Sequence, residues 1–97
     1  MPMTVVITRD VEARYRGFLT SIMLEVSPGV YIAPDLSAGV RSRMWSVLSE
    51  WYDFLGRGAI IMFWRDKKGV SGLSFATLGE PTKELVDADG VILLKRS

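Results

Sequence analysis

Apolar and polar positions along the chain follow two different periods, and the changes between them mark its elements. Met3 to Thr8 contains the contiguous β-branched triplet Val5-Val6-Ile7 and ends on Thr8-Arg9-Asp10. β-Branched side chains favour a pleated strand, and a triplet without alternation predicts burial on both faces, as in a central strand. From Val11 the period lengthens. Val11, Tyr15, Phe18, Leu19, Ile22, Met23 and Val26 recur at three- and four-residue intervals, which predicts a helix ending near Leu24. Arg14, Gly17 and Ser21 share the opposite face, flanked by Arg16 and Thr20. Asp10 stands where a carboxylate can accept the free N–H groups of a first helical turn.

Ser27-Pro28-Gly29 is a turn signal between Glu25-Val26 and Val30-Tyr31-Ile32, so two short strands with a tight turn are expected. Asp35 or Ser37 can cap a second helix. Its stripe is Val40, Met44, Val47, Leu48, Trp51 and Leu55, and Gly56-Arg57-Gly58 ends it. Ala59 to Arg65 predicts the strongest strand in the chain. Asp66-Lys67-Lys68-Gly69 is expected to turn it back, with Val70 to Leu78 as the return strand. Gly79-Glu80-Pro81 breaks that pattern, and a last apolar run, Val91 to Leu94, leads into Lys95-Arg96-Ser97.

The order strand, helix, strand, strand, helix, strand predicts the split βαβ arrangement. This is an α+β, ferredoxin-like fold, an antiparallel sheet with both helices on one face. One domain over residues 1–97 is expected, since a core of this size does not divide. Additional C-terminal strands are expected to pair with the sheet or to complete it in a homodimer. Mean hydropathy is +0.22, high for so short a chain, and this too points to a second copy covering apolar surface.

Composition narrows the chemistry. The chain has 0 Cys and 0 His, which excludes disulfides, thiol nucleophiles, histidine acid–base catalysis and zinc sites built on those ligands. Any catalysis would rest on carboxylates, Lys, Tyr or Ser, with an oxygen-bound Mg²⁺ or Mn²⁺ as its metal. The lack of Cys suits a cytoplasmic location. Met-Pro-Met-Thr places no basic region before an apolar stretch, so no secretory signal is expected. The apolar run from Ala59 to Trp64 is too short to span a bilayer. Net charge is +1, from 12 Lys+Arg against 11 Asp+Glu, so nucleic-acid binding would need a local basic face. Arg9, Arg14 and Arg16 cluster near the start, Arg41 and Arg43 follow on a second segment, and acids gather between Glu80 and Asp89.

Several separated segments carry a family resemblance. They are Arg14-Tyr15-Arg16-Gly17-Phe18-Leu19, Glu25-Val26-Ser27-Pro28-Gly29-Val30-Tyr31-Ile32, Gly72-Leu73-Ser74-Phe75-Ala76-Thr77-Leu78-Gly79 and Val86-Asp87-Ala88-Asp89-Gly90-Val91. In these, and over nearly its whole length, the chain resembles the small CRISPR-associated adaptation protein "Cas two" in its type I-E form. The resemblance implies a ferredoxin-like homodimer set between dimers of the integrase partner "Cas one". The assembly holds a double-stranded prespacer DNA for insertion into the CRISPR array. The partner supplies the chemistry, and the small protein supplies span and a DNA-contacting surface, with no cofactor required. Some family members are described as metal-dependent endonucleases of RNA or DNA, using a carboxylate at the end of the first strand.

The resemblance assigns Arg14 and Arg16 to the duplex backbone, a role that suits the planar, permanently charged fork of arginine. Arg41 and Arg43 are further DNA-binding candidates, since Gly39 stands where relatives carry a basic residue. Lys83 is the last candidate, the one cation left in a segment that is Arg-rich in relatives. At the family's carboxylate position this chain has Arg9, with Asp10 one residue later. Asp10 is therefore open to two readings, a helix cap or a weak catalytic and Mg²⁺-binding candidate opposed by Arg9. Trp64 is the one aromatic considered for base stacking. The resemblance thus implies a non-catalytic DNA-binding scaffold, where the residues alone read Arg14 and Arg16 as a solvated helix face, with a metal-dependent nuclease acting through Asp10 as the alternative.

Overall fold

The computed structural model describes residues 3–79, 83–88 and 91–96. Among them the chain runs β1 (Thr4–Arg9), α1 (Ala13–Thr20), β2 (Leu24–Ser27), β3 (Val30–Ala33), α2 (Ala38–Leu55), β4 (Ala59–Val70), β5 (Leu73–Leu78), β6 (Lys83–Ala88) and β7 (Val91–Arg96). The first five strands form an antiparallel sheet in the order β2-β3-β1-β4-β5. This is the expected ferredoxin-like α+β arrangement, with β1 at the centre and β5 added beyond β4.

The pairing sorts the strand residues by face. Thr4 and Val6 stand opposite Ala33 and Tyr31 of β3 and opposite Trp64 and Met62 of β4. On that face Val6, Tyr31, Ala33, Ile60 and Met62 form one buried cluster with Tyr15 and Leu19 of α1 and Met44 and Leu48 of α2. Both helices therefore cover one side. The other side aligns Val5 with Ile32 and Phe63, Ile7 with Val30 and Ile61, and Phe63 with Phe75. It is apolar and carries neither helix; Ile7 and Leu24 stand exposed on it. The Val5-Val6-Ile7 triplet is apolar on both sides of the sheet for this reason.

Local signals set most boundaries. Ser37 caps α2 by accepting the Val40 N–H at 3.2 Å. Gly56, at φ +56°, closes it with its N–H on the Tyr52 carbonyl. The end of α1 differs from the expectation near Leu24. Shortened bonds from Ser21 to Phe18 and from Ile22 to Leu19 close the helix, and Leu24 already opens β2. The apolar stripe runs past this end because Met23, in the following turn, still points into the core.

The β4–β5 turn also moves. The Asp66–Gly69 segment lies within β4 as an irregularity, where Asp66 accepts the Lys68 N–H and the Ser74 hydroxyl. Val70 pairs with Leu73, leaving Ser71 and Gly72 as a two-residue turn at φ +51° and +81°. Positive φ at both positions is what a tight hairpin with the strand's own twist requires, and Lys67-Lys68 cannot supply it. In this chain β7 pairs antiparallel with β6 as a separate two-stranded sheet. No strand was read from the sequence at the position of β6.

Candidate nucleic-acid interface

The end of β1 meets the start of α1 at Arg9 and Asp10, both exposed. Asp10 is not the helix cap. Its backbone is left-handed, at φ +55°, whereas a capping residue is extended. Glu12 takes the cap position, with an extended backbone and no side-chain capping bond. Asp10 is instead turned toward Arg57, in the loop after α2. Arg57 Nη2 donates to Asp10 Oδ1 at 3.2 Å, and Nη1 donates to Glu12 Oε1 at 3.2 Å. One guanidinium bridges two carboxylates and ties that loop to the β1–α1 junction.

Mg²⁺ keeps several waters and binds through one or two carboxylates, and a cation already beside them opposes it. Here the two nearby carboxylates already share a cation, and Arg9 adds another beside them. Among the described residues no group of three or more acids suited to a metal occurs.

The basic candidates fall into separate places. Arg14 and Arg16 are both exposed on α1, but two residues apart they leave it in different directions. Arg14 lies over the Trp51 ring of α2, its Cζ 5.5 Å from the ring centroid. Arg16 turns to the β2–β3 hairpin, where its Nε donates to Glu25 Oε1 at 2.8 Å. The Glu25 carboxyl is held below its ordinary value, first by the Arg16 hydrogen bond, against the opposing effect of burial, with help from the Gly29 N–H. Thr8, Asp10, Glu12, Arg16, Glu25 and Gly29 border an open groove of about 700 Å³.

Arg41 and Arg43 lie at the other end of the sheet. α1 starts after the Arg9 end of β1, and α2 starts after Ala33, which pairs with Thr4 at the opposite end. A strand of six residues separates these ends by about 17 Å. Arg43 is exposed. Arg41 lies over the Trp64 ring at 4.2 Å, with Nη1 buried and without a hydrogen-bond partner among the described residues. Trp64 is thereby half-buried beneath a guanidinium, so its ring face is not a free stacking platform. The side chain of Lys83 lies outside the described residues.

Sequence reasoning passed over two residues that organise this region, Arg57 and Glu25. Arg57 read only as part of a helix stop, and its partners are 45 and 47 residues away. Glu25 did carry a local signal, an acid four residues before the Gly29 whose N–H it accepts at 3.3 Å.

A family model described as CRISPR-associated protein (Cas_Cas2CT1978) matches residues 3–93 of the chain. The match spans both helices and the whole five-stranded sheet. It includes the β1–α1 junction with Asp10, Arg14 and Arg16 and the hairpin carrying Glu25.

Proposed function

Because the chain belongs to the CRISPR-associated Cas_Cas2CT1978 family, we propose that it acts in CRISPR adaptation as a non-catalytic, DNA-binding scaffold of the type I-E kind. In this reading a homodimer bridges dimers of the integrase partner "Cas one" and holds a prespacer duplex by its phosphate backbone. The observation that carries the reading is the contrast at the β1–α1 junction. Arg14 and Arg16 are exposed on α1, while a basic residue, Arg9, stands at the carboxylate position the resemblance predicts, and its neighbour Asp10, itself exposed, is paired with Arg57.

The scaffold part draws on the sheet. Its helix-free face brings together Val5, Ile7, Ile32, Ile61, Phe63 and Phe75, with the Phe63 and Phe75 rings 5.7 Å apart. Ile7 and Leu24 stand exposed on this face while Val5 is buried, and covering the open positions with the same face of a second copy would stabilise both.

Backbone contacts carry no sequence information, so the test is affinity and its salt dependence. Arg14→Ala and Arg16→Ala are expected to weaken binding of unrelated duplexes alike. Each should lower the salt slope by about 0.9 per lost contact on B-DNA. Unchanged binding in both variants contradicts the reading, as does Mg²⁺-dependent cleavage by the pure protein that Asp10→Ala abolishes.

A further inference from the structure

The arginine proposed above as a phosphate contact is held in place. Arg16 is 71% exposed, yet its Nε donates at 2.8 Å to Glu25, which is only 18% exposed. That carboxylate is itself fixed. Its second oxygen accepts the Gly29 N–H at 3.3 Å. Tyr31, buried in the core, stands directly across from Glu25 in the β2–β3 pair and helps hold it ionised. The Arg16 carbonyl accepts the Thr20 hydroxyl at 2.8 Å, which ties down the backbone end of the same residue.

A guanidinium offers two edges for hydrogen bonding, one along Nε and one between its terminal amino groups. Glu25 occupies the first. Among the described residues no acceptor occupies the second, and two parallel N–H groups there can pair with phosphate oxygens as a fork. We infer that Glu25 is a positioning residue for nucleic-acid binding, an acid that holds Arg16 by Nε and turns its terminal amino groups toward a backbone phosphate. The inference rests on the reading of Arg16 as a phosphate contact.

The sign of its effect separates positioning from simple charge. An acid this close to a phosphate site repels the phosphate, so by charge alone its removal tightens DNA binding. By positioning, its removal weakens binding, because a freed arginine must be ordered again at each contact.

The experiment uses the full chain and a fluorescently labelled blunt DNA duplex, with anisotropy titrations at several salt concentrations. Folding of each variant is checked by circular dichroism and thermal unfolding. Arg16→Ala is expected to weaken binding. Glu25→Ala is expected to weaken it by about threefold to tenfold, the range set by ordering one long side chain, and to lower the salt slope toward that of Arg16→Ala. Glu25→Gln keeps an oxygen acceptor for Nε and is expected to restore binding to the wild-type level. Glu25→Ala placed in the Arg16→Ala background is expected to add no further loss.

Glu25→Ala binding as tightly as wild type, or tighter, overturns the inference while Arg16→Ala remains weak. So does a loss that persists in full without Arg16, or a folded Glu25→Gln as weak as Glu25→Ala. If Arg16→Ala itself binds like wild type, the phosphate reading fails, and the inference fails with it.

Discussion

Gly58 holds the loop after α2 against the end of β1, and replacing it tests how that junction is built. Its φ is +83°, and a Cβ there would stand 2.4 Å from the carbonyl oxygens of both Arg9 and Asp10, short of the 3.0 Å below which real Cβ atoms do not approach. The atoms in the way are main chain and cannot rotate aside as a side chain would. Gly56, two residues earlier, also has a positive φ, +56°, but nothing lies within 4 Å of a Cβ there. The left-handed backbone costs alanine about 1–2 kcal/mol at either position. Forcing a methyl against packed backbone adds about 1–3 kcal/mol at Gly58 alone. Gly58→Ala is therefore expected to lose about 2–5 kcal/mol and Gly56→Ala about 1–2 kcal/mol. Urea unfolding at one fixed protein concentration measures both, since stability of an oligomer depends on concentration. Equal losses for the two variants would refute the close approach and, with it, the account of how Arg57 reaches Asp10.

Three further outcomes follow from the same structure. Ile7→Glu, on the helix-free face where Ile7 is 37% exposed, is expected to leave the fold intact and shift the protein from dimer to monomer in light scattering; an unchanged dimer would place the contact elsewhere. Glu25 and Asp66 both have carboxyls held below their ordinary values, Glu25 chiefly by Arg16 and Asp66 chiefly by the Lys68 N–H. Each contributes stability that is present above the unfolded value of about 4 and is lost as pH falls through the depressed folded value. Glu25→Gln with Asp66→Asn should therefore flatten the acid limb of stability against pH, and an unchanged limb would contradict the assignment. Asp10→Ala breaks an exposed ion pair and is expected to cost less than about 1 kcal/mol in thermal or urea unfolding; a larger loss would mean that Arg57 depends on Asp10 to hold the junction.

The fold was legible where a short-range rule decides. Val5-Val6-Ile7 marked the central strand, Gly56 marked the end of α2 and Asp35 or Ser37 its start, of which Ser37 is the cap, and Ser27-Pro28-Gly29 marked a hairpin, each through residues within a few positions of one another. Local rules failed where a distant group competes. Asp10 has the side chain of a cap, but α1 begins at Ala13 with Glu12 at the cap position, and Asp10, left-handed at φ +55°, pairs instead with Arg57 from 47 residues away. Asp66-Lys67-Lys68-Gly69 has turn composition, yet Ser71-Gly72 takes the turn because the register of β4 on β5 places the two positive-φ positions there. The site was legible as a set of arginines and not as an arrangement. Spacing on a helix shows that Arg14 and Arg16 diverge, but the partner of Arg16 is defined only once β2 folds back beside α1. Likewise, the distance between Arg16 and Arg41 depends on which end of the sheet each helix starts from, which is a property of the topology.

The central claim is that this protein holds DNA without cutting it, and spacer insertion by the complex reconstituted with the integrase partner tests it most directly. The measurement compares insertion by wild type, Asp10→Ala and the Arg14→Ala, Arg16→Ala double variant, each shown beforehand to be folded and dimeric. The account predicts wild-type insertion for Asp10→Ala and a large loss for the double arginine variant in parallel with its loss of duplex affinity. Insertion abolished by Asp10→Ala, or retained in full without the two arginines, would contradict it.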